Sequence, residues 1–159
     1  MDSHKLAPRI ANRRAHYDYF VLDKIECGIA LVGSEVKSVR QGRVQLGQSF
    51  AKIRDGQVYL MACHIEEYVE ANQLNHDPTR TRRLLLHRRE IRRLMQRMQK
   101  EGSGGSGGGI TLVPLEMYFR RGYVKVLLGI AKGKKMFDKR QTLKDRDDKR
   151  NMEKALRHR

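Results

Sequence analysis

The sequence is poor in the residues that stabilise small proteins by covalent or aromatic means. It contains two cysteines, no tryptophan and three prolines, and aromatic residues make up 6% of its 159 positions. Cys27 and Cys63 are too few for a disulfide framework or a four-ligand zinc site. A single disulfide stays open as an alternative, but reduced thiols are the default expectation in a cytoplasm.

Long apolar stretches are also lacking. No run approaches the ~20 residues that a membrane-spanning helix needs, and the N-terminal segment has no signal-peptide apolar region. We therefore expect a cytoplasmic protein that does not span a membrane.

Motifs of enzyme chemistry are missing as well. The sequence has no P-loop, no G-x-G-x-x-G after a strand, no H-E-x-x-H and no G-x-S-x-G. Its six histidines are scattered with no pair at i, i+3 or i+4, so we predict no metal site, no cofactor and no catalytic residue. His16 and His76, with a nearby lysine, leave a ribonuclease-like acid/base pair open as a weak alternative.

Positive charge is what the sequence has in excess. It carries 34 Lys and Arg against 18 Asp and Glu, a formal net charge of +16. Residues 80–100 hold nine basic and one acidic residue, and residues 132–159 hold twelve and five. These two segments supply 15 of the 16 excess charges on an otherwise nearly neutral chain. A polyanion is the expected partner, with nucleic acid the first choice and an anionic membrane surface the second.

The apolar pattern predicts short strands with few helices. Residues 17–33 have strand character with a bulge at Gly28, and residues 34–44 favour a short helix with Ser34 as its N-cap. Hairpins are predicted over 49–65, around "RDGQ", and over 110–133, around Arg121-Gly122.

A helix is predicted over 84–100, with cations on one side. An apolar stripe runs through Leu84, His87, Ile91, Leu94, Met95 and Met98, and Arg89, Arg92, Arg93 and Lys100 occupy the opposite side. The Gly/Ser run over 102–109 predicts a flexible loop. Within "RTRRLLLHRRE" (80–90), the arginines are predicted to bind phosphate, with a solvated helix face as the alternative; they are Arg80, Arg82, Arg83, Arg88 and Arg89.

Together these elements favour a mainly β fold with flanking α-helices, a small OB-like antiparallel β-barrel. We divide the chain into a loose polar N-terminal arm (1–16), an RNA-binding barrel (17–133) and a basic C-terminal tail (134–159). The tail has too few apolar residues to fold alone, so we expect it to be disordered when free and to become helical on RNA. Oppositely charged pairs four residues apart, such as Lys144–Asp148, slightly favour a helix.

Five motifs in order resemble one family. "IANRRAHYDYF", "ECGIALVGSEVKSVRQGRV", "HDPTRTRRLLLHRREI", "ITLVPLEMYF" and "AKGKKMFDKR" resemble the small protein B (SmpB) family over about residues 9–150. The resemblance implies an OB-like barrel that binds the tRNA-like domain of transfer-messenger RNA (tmRNA). It also implies entry into stalled ribosomes and a part in trans-translation, without enzymatic activity. We expect a monomer.

The resemblance also implies two sets of site residues. Asn12, Glu26, Leu85 and His87 match positions tied to tmRNA binding. Positions acting at the small-subunit decoding centre and the mRNA path are matched by His16, Lys132, Gly133, Lys134, Lys135, Phe137, Asp138, Lys139 and Arg140. Phe137 departs from the Tyr or His that is frequent in the family, so an aromatic ring is kept and its polar tip is lost. The Gly/Ser run also departs, since the family typically has a short charged turn there.

A second hypothesis is a basic structural RNA-binding protein of the ribosome. It predicts retention on ribosomes through high-salt washing without tmRNA. The SmpB-type hypothesis predicts instead selective binding to the tRNA-like domain of tmRNA.

Overall fold

The computed structural model of the chain describes residues 7–102 and 109–157. Its strands, in chain order, are β1 (Ile10–Ala11), β2 (Tyr19–Ile29), β3 (Val44–Gln45), β4 (Phe50–Arg54), β5 (Gln57–Met61), β6 (His64–Ile65), β7 (Arg82–Leu85), β8 (Ile110–Arg120) and β9 (Tyr123–Gly133). Its α-helices are α1 (Ala15–Asp18), α2 (Gly33–Arg40), α3 (Arg88–Glu101) and α4 (Met136–Arg157), and a 3₁₀ helix spans Val69–Leu74.

Six strands close into a ring of antiparallel pairings, which we call the strand ring. Its order is β8, β4, β5, β7, β2 and β9, and β9 pairs again with β8. Strands β3 and β6 form a separate two-stranded sheet. Side chains such as Leu60, Leu112 and Leu128 are fully buried in the core. The predicted mainly β, OB-like class with flanking helices is confirmed.

Both predicted hairpins are present with the turns that their sequences favour. Asp55 and Gly56 have φ of 49° and 69°, and Arg121 and Gly122 have 50° and 81°. Two successive residues with positive φ match the right-handed twist of the flanking strands. Because glycine adopts this conformation without steric cost, an X-Gly pair fixes the turn and the register of each hairpin.

The first long strand is shorter than predicted, since it spans Tyr19–Ile29 instead of residues 17–33. Its N-terminal residues form α1, and the irregularity in register lies between Val21 and Asp23 instead of at Gly28. Gly28 has another role, because a Cβ there would lie 3.2 Å from the Cβ of Leu85. The missing side chain lets β7 pack closely across β2.

The predicted helix over 84–100 is wrong in its first turn. Leu84 belongs to β7, where it is fully buried and pairs with Ile29 and Val58. Tertiary pairing on both sides of β7 overrides the helical spacing, so α3 starts only at Arg88. From there the predicted stripe is confirmed at Ile91 and Leu94, which are buried, but not at Met95, which is 37% exposed.

The two ends of the chain are more ordered than their composition suggests. The arm is not loose over 10–15, since β1 pairs with β8 and Ala15 is buried. The tail is the helix α4 and not a disordered segment, although none of its described side chains is buried. Within the described ranges, no helix combines the length and apolar character needed to cross a bilayer. Of the predicted flexible loop 102–109, residues 103–108 lie outside the described residues.

Both cysteines are free and buried in the core. Cys27 donates its S–H to the carbonyl oxygen of Val126 at 3.3 Å. Burial raises the pKa of the Cys27 thiol to about 12 and that of the Cys63 thiol to about 11. These thiols therefore act as small core residues and not as nucleophiles.

A buried carboxylate joins α2 to β7. Glu35 and Arg82 are both fully buried, and Arg82 Nε donates to Glu35 Oε1 at 2.8 Å. Arg80 adds two bonds, from Nε to Oε1 at 2.7 Å and from a terminal nitrogen to Oε2 at 2.5 Å. The Val32 N–H donates to Oε2 at 2.9 Å, so Glu35 and not Ser34 satisfies the start of α2.

Carbonyl oxygens of Cys63, Pro78 and Arg80 accept the other N–H groups of Arg82.

Replacing Glu35 with Gln is expected to destabilise the fold severely. Removing one partner of a buried ion pair leaves an uncompensated charge and costs about 3 kcal/mol or more. Urea denaturation should show this loss for Glu35→Gln at neutral pH, and almost none for the exposed control Glu153→Gln. Equal stability of the two variants would contradict the role assigned to Glu35.

The stabilisation by Glu35 should also depend on pH. Burial raises the pKa of Glu35, but hydrogen bonds from Arg80, the Val32 N–H and Arg82 outweigh it and hold the pKa below its usual value of 4.5. The stabilisation by the charged Glu35 carboxylate is thus complete above pH 4.5. It is lost as the pH falls through the lower pKa that Glu35 has in the folded state. Urea titrations should show the gap between wild type and Glu35→Gln closing in acid. A gap that stays constant down to pH 3 would refute this linkage.

Candidate nucleic-acid interface

One outer face of the strand ring gathers several predicted site residues. Gly28 on β2 lies opposite both Leu85 on β7 and Lys125 on β9. Because alternate residues of a strand share a face, Glu26 and Arg83 lie on the same side. Tyr118, opposite Lys125, and Arg120 extend this side onto β8. We call it the Leu85 face and define it by Glu26, Arg83, Leu85, His87, Tyr118, Arg120 and Lys125.

The centre of the Leu85 face is apolar and open. Leu85 is 47% exposed, and it borders a cleft of about 250 Å³ together with Gly28, Leu31, Val36 and Tyr123. Arg83 and Lys125 flank this surface. An apolar recess between cations suits an unstacked nucleobase with its phosphates.

Glu26 is a negative group on this cationic face, and it orients its neighbours. The carboxylate accepts the hydroxyl of Tyr118 and, at 2.8 Å, an N–H of Arg120. The Tyr118 hydroxyl and the Arg120 guanidinium hold the pKa of Glu26 below its usual value, even against its desolvation. Burial together with Glu26 raises the pKa of Tyr118 to about 12. Glu26 therefore holds a phenol and a guanidinium in place for a ligand.

The first turn of α3 continues the cations beside His87. The His87 N–H donates to Glu90 Oε2 at 2.8 Å and so begins the helix. His87 is exposed and lines a shallow cleft of about 600 Å³ with Arg88, Arg89 and Arg93. The predicted apolar side for His87 is thus wrong, because its ring is open to a ligand next to three guanidinium groups.

Two of the predicted tmRNA-binding residues lie inside the fold. Arg82 is fully buried on Glu35, so its guanidinium is not open to a phosphate. Asn12 is 4% exposed, and its amide donates to the carbonyl oxygens of Leu46 at 3.1 Å and Pro114 at 2.8 Å. Both side chains therefore hold parts of the fold together. Neither is exposed to contact a ligand at the surface.

The second set of site residues meets where β9 leaves the ring. Lys134 Nζ donates to the carbonyl oxygen of His16 at 2.9 Å, and the Lys134 N–H donates to that of Asp18 at 2.9 Å. Lys139 Nζ donates to Asp18 Oδ1 at 2.9 Å. We call residues 16–18 and 132–140 the tail junction.

Several polar groups of the tail junction face solvent. Lys132, Lys135, Arg140 and the His16 ring are exposed, as is Gly133. Asp138 Oδ2 accepts the Lys135 N–H at 3.3 Å, which satisfies a backbone donor where α4 begins. The side chain of Phe137 lies outside the described part of the structure.

The Leu85 face and the tail junction lie at opposite ends of β2. Tyr19 at its start pairs with Gly133, whereas Gly28 near its end pairs with Leu85. Nine residue steps of extended strand lead from Tyr19 to Gly28, a span of about 30 Å. One molecule thus presents two distinct contact regions.

Four residues that act through others were not predicted as site residues, namely Asp18, Glu35, Tyr118 and Arg120. The first three lie within the quoted motifs, but only tertiary contacts reveal their partners. The ribonuclease alternative is not supported, because His76 is buried with both ring nitrogens bonded, to Ser34 Oγ and the Ile65 carbonyl oxygen. In the described ranges, no three His, Cys, Asp or Glu side chains come together as a metal site.

Known proteins are similar to this chain in sequence and in fold. A family model described as SmpB protein matches residues 9–158. An SsrA-binding protein of Levilactobacillus brevis is 50% identical over 92% of this chain and 89% of the relative. That of Carboxydothermus hydrogenoformans is 50% identical over 93% and 95%. A chain of a solved structure described as "tmRNA-SmpB: a journey to the center of the bacterial ribosome" has a TM-score of 0.65 and 49% identity, covering 82% of this chain and 87% of that one. The chain belongs to the SmpB family.

Proposed function

We propose that this protein is an RNA-binding factor of trans-translation and not an enzyme. It binds the tRNA-like domain of tmRNA, brings it to stalled ribosomes and supports tagging of the incomplete product for degradation. It acts in the cytoplasm as a monomer. The observation that carries this proposal is the match in sequence and fold to a chain of the tmRNA–SmpB structure.

The Leu85 face is the proposed tmRNA-binding surface. Its open apolar recess can take an unstacked base, while His87 and the guanidinium groups of α3 bind phosphates. Glu26 does not contact phosphate, since charge repels it, but it fixes Tyr118 and Arg120 in donor geometry. Of the predicted residues, Arg82 supports this surface from inside, whereas Asn12 bonds to Leu46, Pro114 and Ala15 beside α1.

The tail junction and α4 are the proposed ribosome-binding part. The exposed cations Lys132, Lys135 and Arg140 can bind rRNA phosphates at the decoding centre, next to the His16 ring. Helix α4 has 22 residues and is about 33 Å long. Most of its charged side chains are exposed. This suits binding in the mRNA path of a stalled ribosome, which is lined by RNA and holds no mRNA there. We accordingly keep the division into an arm (1–16), an RNA-binding body (17–133) and a ribosome-binding tail (134–159).

Variants of the Leu85 face should weaken tmRNA binding while loss of the tail should not. His87→Ala is expected to reduce affinity about tenfold, because it removes one stacking or phosphate contact. Glu26→Gln should act in the same direction through Tyr118 and Arg120. Gel shifts with tmRNA over a salt series measure this, with Lys149→Ala on α4 as the control.

The same gel shifts include protein truncated after Gly133, which should keep tmRNA affinity and lose tagging. Truncation that abolished tmRNA binding would contradict the division of labour. Equal binding of full-length protein to tmRNA and to generic duplex RNA at matched salt would contradict the tmRNA function itself. High-salt retention on ribosomes lacking tmRNA would favour the structural ribosomal role.

Asp18 is proposed to position the tail. Its carboxylate accepts Lys139 Nζ at 2.9 Å and Arg14 Nε at 3.0 Å, and its backbone oxygen accepts the Lys134 N–H. Desolvation opposes these bonds, but Lys139 and Arg14 hold the pKa of Asp18 below its usual value. The carboxylate is thus charged at neutral pH and holds α4 to α1.

Asp18→Asn should loosen α4 without affecting tmRNA binding. We expect trypsin to cleave the tail junction about fivefold faster, because a partly buried ion pair no longer opposes local opening. Tagging should fall, and tmRNA gel shifts should not change. Asp145→Asn, on the exposed part of α4, is the control. Cleavage at the wild-type rate would contradict the positioning role.

A further inference from the structure

The loop between β6 and β7 differs in charge from the rest of the chain. Residues 66–77, which we call the acidic loop, contain four acidic residues and no lysine or arginine. Their formal charge is therefore −4 in a chain whose total is +16. A phosphate backbone is repelled from such a segment. The acidic loop is therefore unsuited to the RNA contacts that are proposed for the basic parts of the protein.

The acidic loop also holds apolar side chains in solvent. Leu74 is 89% exposed and Val69 is 77% exposed, the highest values for large apolar residues in the described ranges. They stand at the two ends of the 3₁₀ helix Val69–Leu74. Exposed apolar side chains surrounded by charge are typical of protein–protein contact sites.

Polar contacts hold the acidic loop in shape without those two side chains. Asn75 Oδ1 accepts the Tyr68 N–H at 3.0 Å, and Asn75 Nδ2 donates to the Tyr68 carbonyl oxygen at 2.8 Å. At the base, the buried His76 ring bonds to the Ile65 carbonyl oxygen and to Ser34 Oγ. A loop closed in this way loses little conformational freedom when it binds.

The negative charge of the acidic loop is not neutralised internally. The ion pairs found among the described residues do not involve Glu66, Glu67 or Glu70. Glu70 instead accepts the hydroxyl of Tyr68 at 2.6 Å, and Lys37 Nζ lies 4.9 Å from the Tyr68 ring centroid. Three carboxylates outside these ion pairs thus lie in the same short loop as Val69 and Leu74.

We infer that the acidic loop is a docking surface for a basic protein that offers an apolar recess to Val69 and Leu74. Charge complementarity selects lysine and arginine side chains over phosphates. Proteins bound to rRNA are basic for the same electrostatic reason as this chain. The acidic loop meets such a partner if the protein enters ribosomes as proposed above.

Photo-crosslinking on stalled 70S ribosomes tests this docking surface. Full-length protein carries p-benzoylphenylalanine in place of Val69 or of Leu74 and is bound to the ribosomes together with tmRNA. Tyr123→p-benzoylphenylalanine is the control, because Tyr123 borders the recess of the Leu85 face and is 73% exposed. Irradiation and mass spectrometry identify each adduct.

We expect adducts of positions 69 and 74 with a Lys/Arg-rich segment of a ribosome-bound protein. Position 123 should crosslink to tmRNA. Adducts of 69 and 74 with RNA, with a second copy of this chain, or with nothing would overturn the docking surface while position 123 still reports on tmRNA. If position 123 fails and tmRNA gel shifts fail with it, the proposed function itself is at fault.

Two further variants of the full chain distinguish the contribution of charge to docking from that of apolar contact. Val69→Ser with Leu74→Ser should reduce tagging about fivefold, as loss of a central apolar contact does. Replacing Glu66, Glu67 and Glu70 with Gln should cut the position-74 adduct yield by a similar factor. Both variants should bind tmRNA as wild type does. Undiminished tagging by the first or undiminished crosslinking by the second would contradict the inference.

Discussion

The buried carboxylate of Glu35 is the constraint on which the Leu85 face depends. It holds Arg82 on the inner side of β7 and Arg80 at the entrance to that strand. Side chains alternate along a strand, so placing Arg82 inward necessarily places Arg83 and Leu85 outward. A shift of one residue would bury Arg83 and Leu85 and expose Arg82. One ion-pair network therefore fixes which of these cations face solvent, where RNA binding is proposed.

The length of β2 separates the two regions proposed to bind tmRNA and the ribosome. One end of this strand carries the residues proposed to hold tmRNA, and the other joins β9 where the tail leaves the ring. The tail adds no described buried side chain to the core, so fold stability and tail function are largely independent. Contacts of Asp18 with Lys134 and Lys139 link the two parts and give α4 a defined direction.

Sequence analysis succeeded where structure is local. The Asp-Gly and Arg-Gly turns need positive φ at both positions, so the residues themselves determine the hairpins. It failed where distant contacts decide, as when Leu84 joins β7 against its helical spacing. Cation count could not separate the buried Arg82 from the exposed Arg83, because the partner of Arg82 lies 47 residues away on α2. The helical tail was missed for another reason, since no described side chain of α4 is buried and the helix is tied to α1 through Lys139 and Asp18.

A competition experiment tests most directly whether tmRNA binding and ribosome action reside in separate parts of the molecule. Protein truncated after Gly133 is added to a reconstituted tagging reaction in which tmRNA is limiting and full-length protein is saturating. At equal concentrations of the two proteins, tagging should fall to about half, because truncated protein occupies tmRNA without supporting the later step. Tagging that stays constant as truncated protein is added in excess would contradict the account.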